Sequence, residues 1–408
     1  METMPAESSQ SLNAFELEDV TAACQPALEM LAALEPWIQQ QQLAVTAVAA
    51  PTGFESLRAE WVMRQWQSLG LDPQLDAAGN VVAERAGTGA DSGCVMISAH
   101  LDTAFAPGTA VRPERRDGRL WAPGIGDNGA GLAALLALAR VLHEGRLRAP
   151  LSILFVANVG EEGEGDLKGM RHLFSSASPY AARIRHSLIV DGPGAEQITC
   201  QALPSRRLKL VFEAPGGHSW SNLGGASAIH AAVRMGAALL AQVEPRPGVM
   251  GCNIGVVQGG SALNAIAAEA TLKLDLRALD AAGLETLSQA VRRAIATGLE
   301  QENAAALSGA ARARVELIGE RPAGDLSSAS PLLALVRAVD ERLAIRSHLE
   351  RASTDANIPL SQGRSAMRLG GGGAGGGAHT LQEWYDPAGR TLALQRLLLT
   401  LLAACRLS

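Results

Sequence analysis

A chain of 408 residues exceeds one comfortable hydrophobic core, so two domains are expected. Hydrophobic residues make up 47% and charged residues 19%, which is globular composition, and a net charge of −6 without a basic run excludes a nucleic-acid surface. The cysteines Cys24, Cys94, Cys200, Cys252 and Cys405 are widely spaced and form no CxxC pair. They read as reduced, buried thiols of a cytoplasmic protein. The N-terminal stretch METMPAESSQSLNAFELEDV lacks the basic residues and apolar core of a secretory signal. No apolar run reaches the ~18 residues a membrane span requires, so a soluble protein is expected.

Residues 1–15 are polar and expected to fray, after which 22–42 reads as one helix by its Ala, Leu and Gln content. Leu57, Val62, Met63 and Trp66 give 55–69 helical spacing, and Gly70 is its stop. Ala78-Gly79-Asn80 splits 74–85 into a hairpin. The run CVMISA over 94–99 is apolar at every position but Ser98, as in a strand buried on both faces, and it leads into His100 and Asp102. A turn at 124–129 precedes a helix over 130–144, so Asp127 stands just before a helix N-terminus. Strands over 151–156 and 187–190 flank a short helix over 167–174. The first leads to the adjacent acids Glu161 and Glu162, the second to Asp191. This alternation is that of an α/β sheet.

The pattern changes near residue 206. Strands over 207–213, 253–258, 269–277 and 314–318, with helices over 226–242 and 282–301, give the order βαββαβ of a compact ferredoxin-like domain. A helix over 331–343, a strand over 365–369, the glycine loop 370–377 and a last helix over 391–404 then resume the first pattern. The expected organisation is a catalytic domain of 1–205 and 323–408, interrupted by an inserted domain of 206–322.

Two adjacent carboxylates repel one another and call for a cation, a proton or open solvent nearby. His100, Asp102, Glu161, Glu162, Asp191 and His379 all follow short apolar runs with strand composition. Open α/β sheets build their sites at carboxyl strand ends, so topology can gather residues far apart in sequence. Imidazole nitrogen and carboxylate oxygen suit zinc, with cobalt or manganese as substitutes.

The stretches SAHLDT at His100, GIGDNGAG at Asp127, VGEEGEG at Glu161, IVDGPG at Asp191, GGHSW at His218, STDAN at 353–357 and GGGAHTLQEW at His379 resemble the dinuclear zinc exopeptidase and amidohydrolase family of carboxypeptidase G, aminoacylase-1, succinyl-diaminopimelate desuccinylase and peptidase T. The resemblance spans nearly the whole chain, and STDAN with GGGAHTLQEW leans toward the peptidase T side. It implies a zinc-exopeptidase-like catalytic domain with a mixed sheet and flanking helices, holding two zinc ions. Asp127 bridges them, His100 and Asp191 complete one site, and Glu162 and His379 complete the other. It further implies that Glu161 is the general base toward a water shared by the ions, that Asp102 bonds the far nitrogen of His100, and that the Asp127–Asn128 peptide is cis. The inserted domain is implied to dimerise and to send His218 into the partner's site to steady the oxyanion. Asn264 and Arg277, with Asp355 and Asn357 of STDAN, are implied to bind substrate.

The expected activity is hydrolysis of an amide bond in a di- or tripeptide. The alternatives are deacylation of an N-acyl amino acid, cleavage of an isopeptide-linked dipeptide, or a catalytically silent metal-dependent dimer that binds peptides. The GxGxxG of 124–129 does not serve a dinucleotide, since Asp127 would face a pyrophosphate. The glycines of 370–377 are expected to let backbone approach substrate and leave room for His379. His143, His172, His186, His230 and His348 are expected to be surface or packing residues.

Overall fold

The computed structural model of the chain describes residues 14–407. The frayed start expected over 1–15 therefore lies outside the described residues up to position 13, and Ala14 and Phe15 already belong to a helix. By internal contacts the chain divides into two units, one running to Ala202 and resuming at Gly324, the other Leu203–Ala323.

The first unit is built on a mixed sheet. Its strands run Gln74–Leu75, Val81–Arg85, Ser152–Asn158, Cys94–His100, Ile184–Val190, Ser365–Leu369, Gln197–Ala202 and Gly324–Asp325 in spatial order, with His348–Ala352 also paired to Gln197–Ala202. The four central strands from Ser152–Asn158 to Ser365–Leu369 are mutually parallel, so their carboxyl ends lie along one edge. Alternation explains why Cys94–His100 is buried at every position. Val95, Ile97 and Ala99 enter a core formed with the helices Ala14–Ala33, Gly129–Glu144, Pro331–Arg342 and Arg390–Ala404, while Cys94 and Met96 enter a second core with Leu167, Met170 and Ile358. Helices thus cover both faces, as parallel strands require.

Several elements differ from the sequence reading. The single helix expected over 22–42 is two, Ala14–Ala33 and Glu35–Ala47, parted at Leu34. Pro36 is the reason. It stands in the first turn of the second helix, where a missing N–H costs nothing. Strands Gln197–Ala202 and His348–Ala352 were not expected, because both are short and each carries three polar residues. All five cysteines are free, and Cys252 alone is half-buried.

In the second unit the strand order is Met250–Gly259, Glu269–Ala278, Ser205–Glu213 and Arg312–Arg321, all antiparallel. Helices Ala228–Gln242 and Ala281–Ala305 cover one face, where Leu208, Leu210, Phe212, Leu272, Leu274 and Leu276 form the core. With the crossing helices this is a ferredoxin-like βαββαβ arrangement. The helices meet closely at Gly298, where a Cβ would stand 2.6 Å from the backbone nitrogen of Met235.

Candidate metal centre

His100 ends its strand and Asp102 follows it. Glu161 and Glu162 follow Ser152–Asn158, and Asp191 follows Ile184–Val190. The parallel register therefore delivers these side chains to one edge. Asp127 comes from a loop closed by the helix Gly129–Glu144. Asn128 caps that helix by accepting the Gly131 N–H at 3.1 Å, and it donates to the Val190 carbonyl at 2.8 Å, tying the loop to the strand end that carries Asp191. The Asp127–Asn128 peptide is cis.

The arrangement centres on Asp127. Its Oδ1 lies 3.0 Å from His100 Nε2 and its Oδ2 lies 3.1 Å from His379 Nε2. Glu162 Oε1 is 3.0 Å from His379 Nε2, and Asp191 Oδ1 is 3.8 Å from His100 Nε2. One carboxylate thus faces two imidazoles, each with a second acid beside it. Donor atoms of His100, Asp127 and Glu162 all fall within 4.8 Å of one another. Imidazole and carboxylate at such separations fit zinc or a similar divalent ion, and Arg368 Nε lies 3.8 Å from the other Asp191 oxygen.

The electrostatics follow from this crowding. Burial alone would lower His100, but Asp102, Asp127 and Asp191 together hold its pKa well above the usual imidazole range. Asp127, then Glu162, raise His379 to about 10 against a partial burial that opposes them. Burial would raise Asp127, and the two histidines outweigh it and keep the carboxyl well below its ordinary range. A cation bound to these groups would compete with protons for them.

Asp102 lies at the far nitrogen of His100. His100 Nδ1 lies 3.0 Å from the Asp102 carbonyl oxygen and 3.6 Å from its carboxylate, so the main chain fixes the ring. The carboxylate instead accepts the N–H of Glu161 at 3.0 Å, the N–H of Glu162 at 2.8 Å and the Thr52 hydroxyl at 2.9 Å. It thereby holds the two acids on their backbone.

Asp355 and Asn357 are placed differently from the expectation. Both are buried. Asp355 Oδ2 accepts from Asn158 at 2.7 Å, and Asn357 Oδ1 accepts the Thr354 N–H at 2.8 Å, so they brace the end of Ser152–Asn158 and the turn before Asn357–Ser361. Burial pushes Asp355 up to about 7. The glycines 370–373 are similarly turned to the fold. Cβ atoms there would meet the Gly194 oxygen at 2.3 Å from Gly370 and the Asp386 oxygen at 2.4 Å from Gly373, so the space they leave is filled by the chain itself.

Sequence reasoning passed over Glu383. It is buried; Oε2 accepts the Gly124 N–H at 2.7 Å, and Oε1 accepts those of Gly126 at 2.8 Å and Asp127 at 2.9 Å. Burial pushes it up to about 7 despite these bonds. Its one sequence signal was an acid four positions beyond His379 inside GGGAHTLQEW.

His218 and Asn264 lie together in the second unit. Gly217–His218 pairs with Ala265–Ile266, and the Asn264 carbonyl accepts the Ser219 N–H at 2.9 Å. His218 Nδ1 accepts the N–H groups of Trp220 and Ser221 at 3.2 and 3.3 Å, which leaves Nε2 as the nitrogen that donates. Arg277, on the same unit, is exposed and bonds Asp275 at 2.8 Å.

Parallel strand ends and two loops that bring imidazoles and carboxylates around one shared acid define a candidate metal centre on an α/β fold. Residues 96–403 match peptidase family M20/M25/M40, and the chain belongs to that family. It is 32% identical over 127 residues to a putative LysW-lysine/LysW-ornithine hydrolase of Thermococcus kodakarensis, covering 31% of this chain and 32% of that protein. It is 31% identical over 233 residues to an acetylornithine deacetylase of Myxococcus xanthus, covering 53% of this chain and 58% of the relative. The chain thus spans a third to somewhat over half of these relatives' length. A crystal structure of a tripeptidase from Staphylococcus aureus shares the fold with TM-score 0.73 at 23% identity, over 91% of this chain and 99% of that one. No helix among the described residues is long and apolar enough to cross a membrane.

Proposed function

We propose that this chain is a metal-dependent hydrolase that cleaves an amide bond in a small peptide, as an exopeptidase acting on di- or tripeptides. The observation that carries the reading is the pairing of the two Asp127 oxygens with two different histidines. Two zinc ions per chain are assigned, with cobalt or manganese as substitutes. His100 and Asp191 would hold one and Glu162 and His379 the other, with Asp127 contributing to both. When bound, such ions lower the pKa of water and polarise a carbonyl.

The chain's own residues carry the proton. Glu161 takes it from the attacking water as the new C–O bond forms and returns it to the leaving nitrogen as the C–N bond breaks. Asp102 keeps Glu161 in place through its amide. His218 Nε2 donates to the developing oxyanion, and Asn264 and Arg277 bind polar groups of the substrate. Asp355 and Asn357 support the site from within the fold.

The acetylornithine deacetylase relative favours a second reading, removal of an acyl group from an amino acid. Glu161→Gln tests the mechanism for either substrate. It should retain metal and lose ~10³-fold or more in kcat, and near-normal turnover would reject Glu161 as the base. A panel of free and N-acetylated peptides separates the substrates, since turnover confined to N-acylated compounds would replace the peptidase reading.

A homodimer in the cytoplasm is part of the proposal. Met250–Gly259 is an edge strand, and with the helix Ala228–Gln242 it exposes Val233, Leu240 and Val257 on one apolar face. A second copy would cover that face about a twofold axis. Sedimentation at the chain's own mass at micromolar concentration would reject it.

A further inference from the structure

We propose that Glu383 is a positioning residue of the metal centre, a carboxylate that locks the Asp127 loop in register with His379. The inference rests on the dinuclear reading above. The loop is tight and rich in glycine, and its outward N–H groups are the donors a carboxylate can gather. Gly124, Gly126 and Asp127 all give theirs to Glu383, at 2.7, 2.8 and 2.9 Å. A return bond from the Ala122 N–H to the Glu383 carbonyl at 3.2 Å makes the contact reciprocal.

The same segment carries His379. Residues 377–383 fold into a compact turn. The Thr380 N–H and hydroxyl both bond the Gly377 carbonyl, at 3.0 and 2.7 Å, and the Thr380 hydroxyl accepts the Gln382 N–H at 3.2 Å. His379 sits in that turn at φ +64°, a left-handed conformation a non-glycine residue adopts only when its surroundings impose it. The piece of chain that presents one imidazole therefore also grips the backbone of the acid that imidazole faces. Gln42 completes the grip from another helix, donating to the Ile125 carbonyl at 2.7 Å while Arg390 donates to its Oε1 at 2.5 Å.

Without the carboxylate, the N–H groups of Gly124, Gly126 and Asp127 lose the acceptor they share. The side-chain angle of Asp127 then becomes a matter of loop motion. Both metal positions depend on that angle, because its two oxygens are divided between them. A glutamine at 383 offers one acceptor oxygen in place of two and turns an NH₂ toward the loop donors.

The test compares wild type with Glu383→Gln, and with Gly126→Ala as a milder disturbance from the loop side. A Cβ at Gly126 would stand 3.1 Å from Glu383 Oε1 and 4.0 Å from the next nearest atom, Pro193 Cδ. Each protein is titrated with cobalt, reading ion stoichiometry and affinity by competition with a chelator and the visible absorption of bound ion. Turnover at saturating metal is followed separately as kcat and KM. Wild type should bind two ions. Glu383→Gln should weaken both by roughly 10- to 100-fold, shift the absorption band and lower kcat with KM little changed. Gly126→Ala should do the same to a smaller degree. Unchanged affinity and spectrum in folded Glu383→Gln would overturn the assignment while leaving the dinuclear site intact. If that variant does not fold, wild-type behaviour in Gly126→Ala overturns it. A wild type that binds no ion removes the dinuclear reading itself, and the assignment with it.

Discussion

His100 and His379 face the two oxygens of one carboxylate at nearly equal distance, yet their surroundings differ throughout. The His100 side chain is 1% exposed, ends a strand in the middle of the sheet and is fixed by the Asp102 carbonyl. The His379 side chain is 55% exposed and stands on a turn with φ +64°. One half of the centre is set by the sheet and the other by a loop clamped through Glu383.

That contrast predicts unequal costs on removal. In metal-free protein, His100→Ala should lower unfolding free energy by ~3 kcal/mol, through a buried cavity and the acceptors left without a partner. His379→Ala should cost about 1 kcal/mol or less, as an exposed position does. Urea unfolding of both variants measures it, and equal losses would erase the distinction.

A histidine outside the centre sharpens the comparison through pH. His186 lies on the strand next to that of His100 and bonds Ser365 Oγ at 2.9 Å. Burial, with Arg185 adding to it, lowers it from 6.5 to about 4, whereas the acids around His100 reverse the effect of burial. A folded pKa below the unfolded one means that His186 contributes fully above pH 6.5 and that its contribution is lost as pH falls toward 4. The loss is on the order of 3 kcal/mol. His186→Gln should flatten the stability profile over that window, and an unchanged acid slope would show that His186 does not titrate there.

Much of this was legible in the sequence for a definite reason. The central strands are buried on both faces, so CVMISA and its neighbours announced themselves as largely apolar runs, and the polar residues ending them marked the site. Strands Gln197–Ala202 and His348–Ala352 gave no such signal, because polar residues interrupt both. The break before Glu35–Ala47 was hidden because helix-forming composition continues on both sides of Pro36. Asp102 was legible as a residue but not in its full role, and Glu383 was not legible as a site residue at all. Their carboxylates act on backbone N–H groups, which carry no side-chain identity to read, and the Glu383 contact with Asp127 spans 256 positions.

Metal content per chain tests the central claim most directly, measured by mass spectrometry after incubation with zinc and removal of loosely bound ion. About two ions in wild type, falling to about one in His379→Ala, is the result expected of a sheet-borne site that survives the loss of the loop-borne one. Well-folded wild type carrying none would contradict the dinuclear centre and everything built on it.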